Sequence, residues 1–154
     1  MAFVGKGLLL LVVLAAGPAQ MARAADAPAD PRSLLSAAAI SSILGGTFSG
    51  PEKSVAPRPF ANTVQGTDCR YSSGHHELLF RIYFDHSAAE ATDLHARLKS
   101  FFGTGATSTS VGDESYFDKS HALHARKGNV RFFINTINDE QKVTALGSLV
   151  AGEL

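Results

Sequence analysis

The chain has 154 residues, 14 basic and 14 acidic side chains, and 45% hydrophobic residues. Nucleic-acid binding by charge needs a cationic stripe, and there is none. A single cysteine, Cys69, excludes an internal disulfide.

The N-terminus carries one cation, Lys6, ahead of an unbroken apolar run over residues 8–16. Gly17-Pro18 breaks the run, and Ala22-Arg23-Ala24 supplies small residues two apart. This layout predicts a secretory signal peptide over residues 1–24. A membrane-spanning helix needs about 20 apolar residues, and this run is roughly half that. Removing the signal takes away Lys6 and Arg23 and no acid, leaving 12 basic against 14 acidic side chains, a net charge of −2. No cysteine follows the apolar run, where lipid attachment would require one. The expected location is periplasmic or secreted, with no stable membrane span after signal removal.

Residues 25–32 read as a flexible Ala/Asp/Pro tail and residues 33–154 as one domain. Ser36 caps a first helix that Gly45-Gly46 stops, with Leu34, Ala37, Ile40, Ile43 and Leu44 as its apolar stripe. Residues 47–62 hold Pro51, Pro57 and Pro59 and read as a long surface loop, with one edge strand at most near residues 46–49. A strand over residues 67–72 turns at Ser73-Gly74 into the clearest strand, residues 77–85. There Leu78, Phe80, Ile82 and Phe84 alternate with Leu79, Arg81, Tyr83 and Asp85, predicting one core face and one half-wet face.

Ser87 and Glu90 form a capping box for a second long helix, with Ala91, Leu94, Leu98, Phe101 and Phe102 inward and Gly103 as its stop. A short strand over residues 115–118 follows. Residues 121–127 and 130–136 form a hairpin over Gly128-Asn129, with Val130, Phe132 and Ile134 on the core face. Asn138 and Gln141 suggest a last capping box, opening a helix with Val143, Leu146, Leu149 and Val150 inward. The expected class is α+β: an antiparallel sheet packed on one face by about three helices.

Four patches carry a likeness to known proteins: residues 30–35 with the Ile43-Leu44-Gly45 helix end, Cys69-Arg70-Tyr71, residues 111–117, and Arg126-Lys127-Gly128-Asn129. In these the chain resembles small exported bacterial lipoprotein-like domains of unknown function. The resemblance implies the α+β fold and an envelope location. It implies no activity, since the family offers no catalytic residues to carry over. Members usually have a cysteine where this chain has Arg32, partnering the Cys69 position, and often a lipidation cysteine. This chain has neither.

The chemistry-bearing residues scatter. His76 and His86 lie about 33 Å apart along an extended strand, too far to share a metal. His121 and His124 fall on opposite faces of a strand. His75 and His76 are adjacent at a turn, and His95 sits at the edge of a helix's apolar stripe. Asp113, Glu114 and Asp118 lack the ligand pattern of a calcium loop. No serine stands in a nucleophile elbow, and Cys69 in mid-strand reads as packing. The sequence therefore names no catalytic, cofactor or metal-binding residue.

Phe132 and Phe133 are adjacent in a strand, so one must point away from the core. Phe133 with Tyr83 and Leu79 forms a candidate face for a ligand or partner. The sequence reading is a non-enzymatic exported binding module for an envelope protein or small ligand. The alternative is an exported metal-binding protein or small hydrolytic enzyme.

Overall fold

The computed structural model of the chain describes residues 30–103, 109–136 and 139–154. The expected signal peptide and most of the expected tail lie outside them. The end of that tail belongs to the domain. Asp30 caps a one-turn helix α1 (Pro31–Leu34), with Pro31 at its first position, where the missing N–H is no loss. Ser36 caps α2 (Ala37–Leu44), accepting the Ala39 N–H as a capping serine should.

The proline-rich stretch read as a loop contains a strand, β1 (Ser49–Ala56). Its register slips between Ser49 and Glu52, around Pro51. β1 is the outermost strand, where proline and irregularity are tolerated because one edge needs no partner. β2 (Gly66–Ser73) and β3 (His76–Phe84) form the expected hairpin. Helix α3 (Ala88–Phe102) opens on the expected Ser87 cap. β4 (Glu114–Phe117), β5 (Leu123–Lys127) and β6 (Val130–Asn135) follow, then helix α4 (Glu140–Glu153). The cap of α4 is Asp139, whose carboxylate accepts the Lys142 N–H; Asn138, expected in that role, lies outside the described residues.

The six strands form one sheet in the order β1-β2-β3-β6-β5-β4, every neighbour antiparallel. The fold is thus α+β with helices packed on the sheet. Phe80, Ile82, Phe132, Ile134, Leu123 and Phe117 project from one face into the hydrophobic core. Ile40 of α2 and Val143, Leu146 and Val150 of α4 close over them. Three helices, α1, α2 and α4, cover this face. Leu149, expected inward, is 44% exposed, one step past the buried stripe of α4.

Cys69 lies in this core, fully buried beneath α1. Burial pushes its thiol pKa up, against the pull of nearby Lys53, so the reactive thiolate is disfavoured.

The other face is not half-wet. Tyr116, His124, Phe133 and Arg81 alternate with the core residues across β4, β5, β6 and β3, and α3 lies over them. Tyr83 and Asp85, expected to meet water, are 6% and 2% exposed. An amphipathic stripe shows that a helix needs a sheet face but not which one. α3 took the face whose residues look polar.

Gly147 lies where α4 comes close to the sheet. A Cβ there would overlap the Leu123 side chain and come within 3.1 Å of a Val111 methyl. Helix propensity alone favours Ala over Gly by about 1 kcal/mol, whereas overpacking a filled core costs about 1–3 kcal/mol. Gly147→Ala is therefore expected to destabilise the fold in chemical denaturation. A gain of stability would mean that Leu123 yields freely.

Candidate functional site: a cavity under helix α3

Between α3, the second sheet face and the segment 57–60 lies a cavity of about 600 Å³. Its floor is braced by two ion pairs, one buried and one half-buried. Arg131 grips Asp85 with Nε at 2.5 Å and Nη2 at 2.8 Å. Arg81 grips Asp68 in the same two-armed way, at 2.6 and 2.9 Å. Such fork-to-carboxylate geometry fixes a guanidinium in direction as well as position. The Arg131 guanidinium lies 4.9 Å from the centre of the Tyr83 ring, and that of Arg81 lies 5.8 Å from the Phe133 ring.

The walls are tied to this floor. The Tyr83 hydroxyl donates to the Pro57 carbonyl at 2.7 Å. Arg97 of α3 stacks 4.1 Å above Phe60. Helix and loop are thereby held on either side of one space. Phe101 and Phe102, expected inward, sit at its rim, 76% and 46% exposed. Leu98 is half-buried in the wall.

The end wall is an aromatic stack. His124 lies parallel to Tyr116, ring centres 4.7 Å apart, with Phe133 edge-on at 4.9 Å. His95 packs edge-on to Tyr116 from α3 at 5.1 Å. The Nε2 of His124 is 2.9 Å from Asp118, so its ring is oriented by a carboxylate. Burial raises the pKa of Asp118. Hydrogen bonds from His124, the Ser120 hydroxyl and the Ala122 and Ser120 N–H groups outweigh it and hold the carboxyl well below its usual range. The Ser120 hydroxyl donates to Asp118 and not to His124, which is not the serine-to-histidine contact of a nucleophilic relay.

Of the sequence-selected face, Tyr83 and Phe133 line the cavity. Leu79 does not: it is half-buried opposite Asn135, farther along the sheet. His124 and Asp118, which the sequence reading did not bring together, are buried and half-buried partners. The other histidines go elsewhere, His86 to Glu90 and His121 to Glu140, both exposed. Asp113 and Glu114 take Arg126. Among the described residues, no three His, Cys, Asp or Glu side chains converge on a metal position.

The sequence signal for this site was present in part. Arg81, Tyr83 and Asp85 alternate on one strand, an unusual density of large polar groups for a solvated face. The Asp118–His124 pairing depends on the turn between β4 and β5, where Asp118 accepts from Ser120 and Ala122, and spacing does not reveal it. Compared with protein-family models, characterised proteins and solved structures, the chain matches none.

His95 makes the site sensitive to acid. Burial, and then the electrostatic effect of the neighbouring His124, Arg126, Arg131 and Lys99 side chains, lowers its pKa from 6.5 to about 4. Above pH 6.5 both folded and unfolded chains hold it neutral. Between these values the unfolded chain takes a proton that the folded one refuses, so stability falls as pH drops from 6.5 toward 4, by up to about 3 kcal/mol from this group. Denaturation curves across that window should be clearly flatter for His95→Leu than for the wild type. Equal slopes would show that His95 accepts its proton in the folded state.

Proposed function

We propose that this chain is an exported, non-enzymatic binding module of the bacterial cell envelope. Its ligand is a small, mostly apolar molecule held between α3 and the sheet. The cavity carries the reading. Its volume falls within the roughly 300–1,000 Å³ of small-molecule sites, and its lining pairs aromatic surface with a few fixed polar groups. The floor is held by ion pairs and the walls by side-chain contacts, so the space is formed before anything enters it. That lowers the ordering cost of binding. The envelope location rests on the signal-like N-terminus and is supported by the resemblance to exported lipoprotein-like domains.

Titration with the neutral dye N-phenyl-1-naphthylamine tests the site. Fluorescence should rise saturably with the wild type. Leu98→Trp, which fills the cavity from its wall, should bind at least about tenfold more weakly, a loss of about 1.4 kcal/mol, with an unchanged melting temperature. Equal binding by the variant would move the site elsewhere. Export is checked by intact mass of the envelope form, which should begin at Ala25; a retained Met1 would contradict it.

A further inference from the structure

We infer that the ligand is an uncharged molecule with an apolar body and a hydroxyl group, and that His124 and His95 receive the hydroxyl at the aromatic end of the cavity. The inference rests on the cavity being the ligand site and adds the chemistry of its occupant.

The first observation is an open ring nitrogen. His124 is 8% exposed and lines the cavity. Its Nε2 is taken by Asp118 at 2.9 Å, and its Nδ1 has no hydrogen-bond partner among the described residues. The side-chain polar atoms there that are both unpartnered and fully buried are Tyr116 Oη, Arg126 Nε and Arg131 Nη1. His124 Nδ1 is unpartnered but not one of these, so it keeps accessible surface, and the space its ring lines is the cavity.

The proton balance gives that nitrogen its role. Asp118 is held as a carboxylate and can only accept, so the proton between the two side chains sits on Nε2. In a neutral imidazole the other nitrogen is then a bare acceptor. It calls for a donor on the ligand.

His95 supplies the complementary group. It lines the cavity, and among the described residues neither of its ring nitrogens has a partner or is fully closed off. Burial keeps this ring neutral at neutral pH, so it offers one N–H and one bare nitrogen. Both histidines pack on the Tyr116 ring, with centres 5.1 and 4.7 Å away, and stand at the same end of the cavity. A hydroxyl matches this pair, because one oxygen both donates and accepts.

The charge balance selects a neutral ligand. Arg81 and Arg131 are each closed by a carboxylate, Asp68 and Asp85. Asp118 accepts from His124, from the Ser120 hydroxyl and from the Ser120 and Ala122 N–H groups. Arg58, also in the lining, is exposed, and its charge is screened by water. A charged ligand would therefore leave water without gaining a counter-charge.

Calorimetric titration of the mature chain at pH 8, above the ordinary imidazole range, tests this with two matched pairs. They are 2-naphthol against 2-methoxynaphthalene, and octan-1-ol against heptyl methyl ether. Each ether keeps the oxygen and loses its proton. At least one alcohol should bind with one-to-one stoichiometry and about tenfold or more tighter than its ether, because the ether leaves a buried acceptor unpaired. His124→Phe keeps a ring against Tyr116 and loses Nδ1, and should reduce that preference to about threefold or less. If the variant does not fold by circular dichroism, nitrogen magnetic resonance of the wild-type histidine rings decides. It should show Nδ1 as the unprotonated nitrogen of His124, with a signal that moves on addition of 2-naphthol. Ethers binding as tightly as alcohols would overturn the inference and leave the cavity reading intact. The same holds for a preference retained by folded His124→Phe, or for a His124 Nδ1 that carries the proton or ignores 2-naphthol. Failure of all four probes, while the neutral dye binds in a manner sensitive to Leu98→Trp, would also overturn the inference alone. Failure of the dye as well would overturn both.

Discussion

The ion pair between Asp85 and Arg131 is the constraint on which the second half of this fold depends. Asp85 stands just past the end of β3, and its carboxylate is gripped by both arms of Arg131 on β6. Its backbone is held as well. The Asp85 N–H donates to the Asn129 carbonyl, and the Asn129 side chain returns a bond to the Asp85 carbonyl. The chain leaving the central strand is thus fastened to the β5–β6 hairpin before it enters α3. Both charges are about 2% exposed, so losing either leaves the other stranded, at a cost of about 3–5 kcal/mol. This anchor directs α3 across the second sheet face instead of letting it join α2 and α4.

From that placement follow two layers of different chemistry. The first is closed by aliphatic and phenylalanine side chains that interdigitate, and it leaves no room for a Cβ on Gly147. The second is built from arginines, tyrosines and histidines whose directions are set by hydrogen bonds. Side chains held in that way do not collapse into every gap, and a cavity remains. Gly66 contributes on β2: a Cβ there would lie 2.6 Å from the Tyr83 ring, so only glycine lets that tyrosine lie against the sheet and reach Pro57. The two faces of one sheet are thus held by different chemistry, and both contribute to the stability of the fold.

Much of the fold was legible in the sequence because its signals are local. Alternation in β3, the Ser87 cap of α3 and the Gly128-Asn129 turn each act within a few residues; the Glu90 carboxylate takes the His86 N–H in place of the expected Ser87 N–H. One strand and one helix cap were misplaced for local reasons of their own. Proline argued against β1, but an edge strand tolerates it, and an Asp at 139 rather than the residue before it caps α4. The site was legible by half. Phe133 had to face away from Phe132, and Tyr83 from Ile82, which placed both on one surface. Leu79 shares their parity but lies too far along β3 to line the cavity, since parity gives the face and not the position along it. The pairing of Asp118 with His124 depends on the conformation of the β4–β5 turn, and the covering of this face by α3 arises from contacts between distant segments; no spacing rule encodes either.

The central claim is that the space between α3 and the second sheet face is where this protein binds its ligand. Backbone amide chemical-shift mapping during titration of the mature chain with N-phenyl-1-naphthylamine tests it most directly. The account predicts perturbations concentrated at Tyr83, His95, His124, Arg131 and Phe133, with the amides of α2 and α4 unmoved. Shifts centred on α2 and α4, or scattered evenly over the surface, would contradict it.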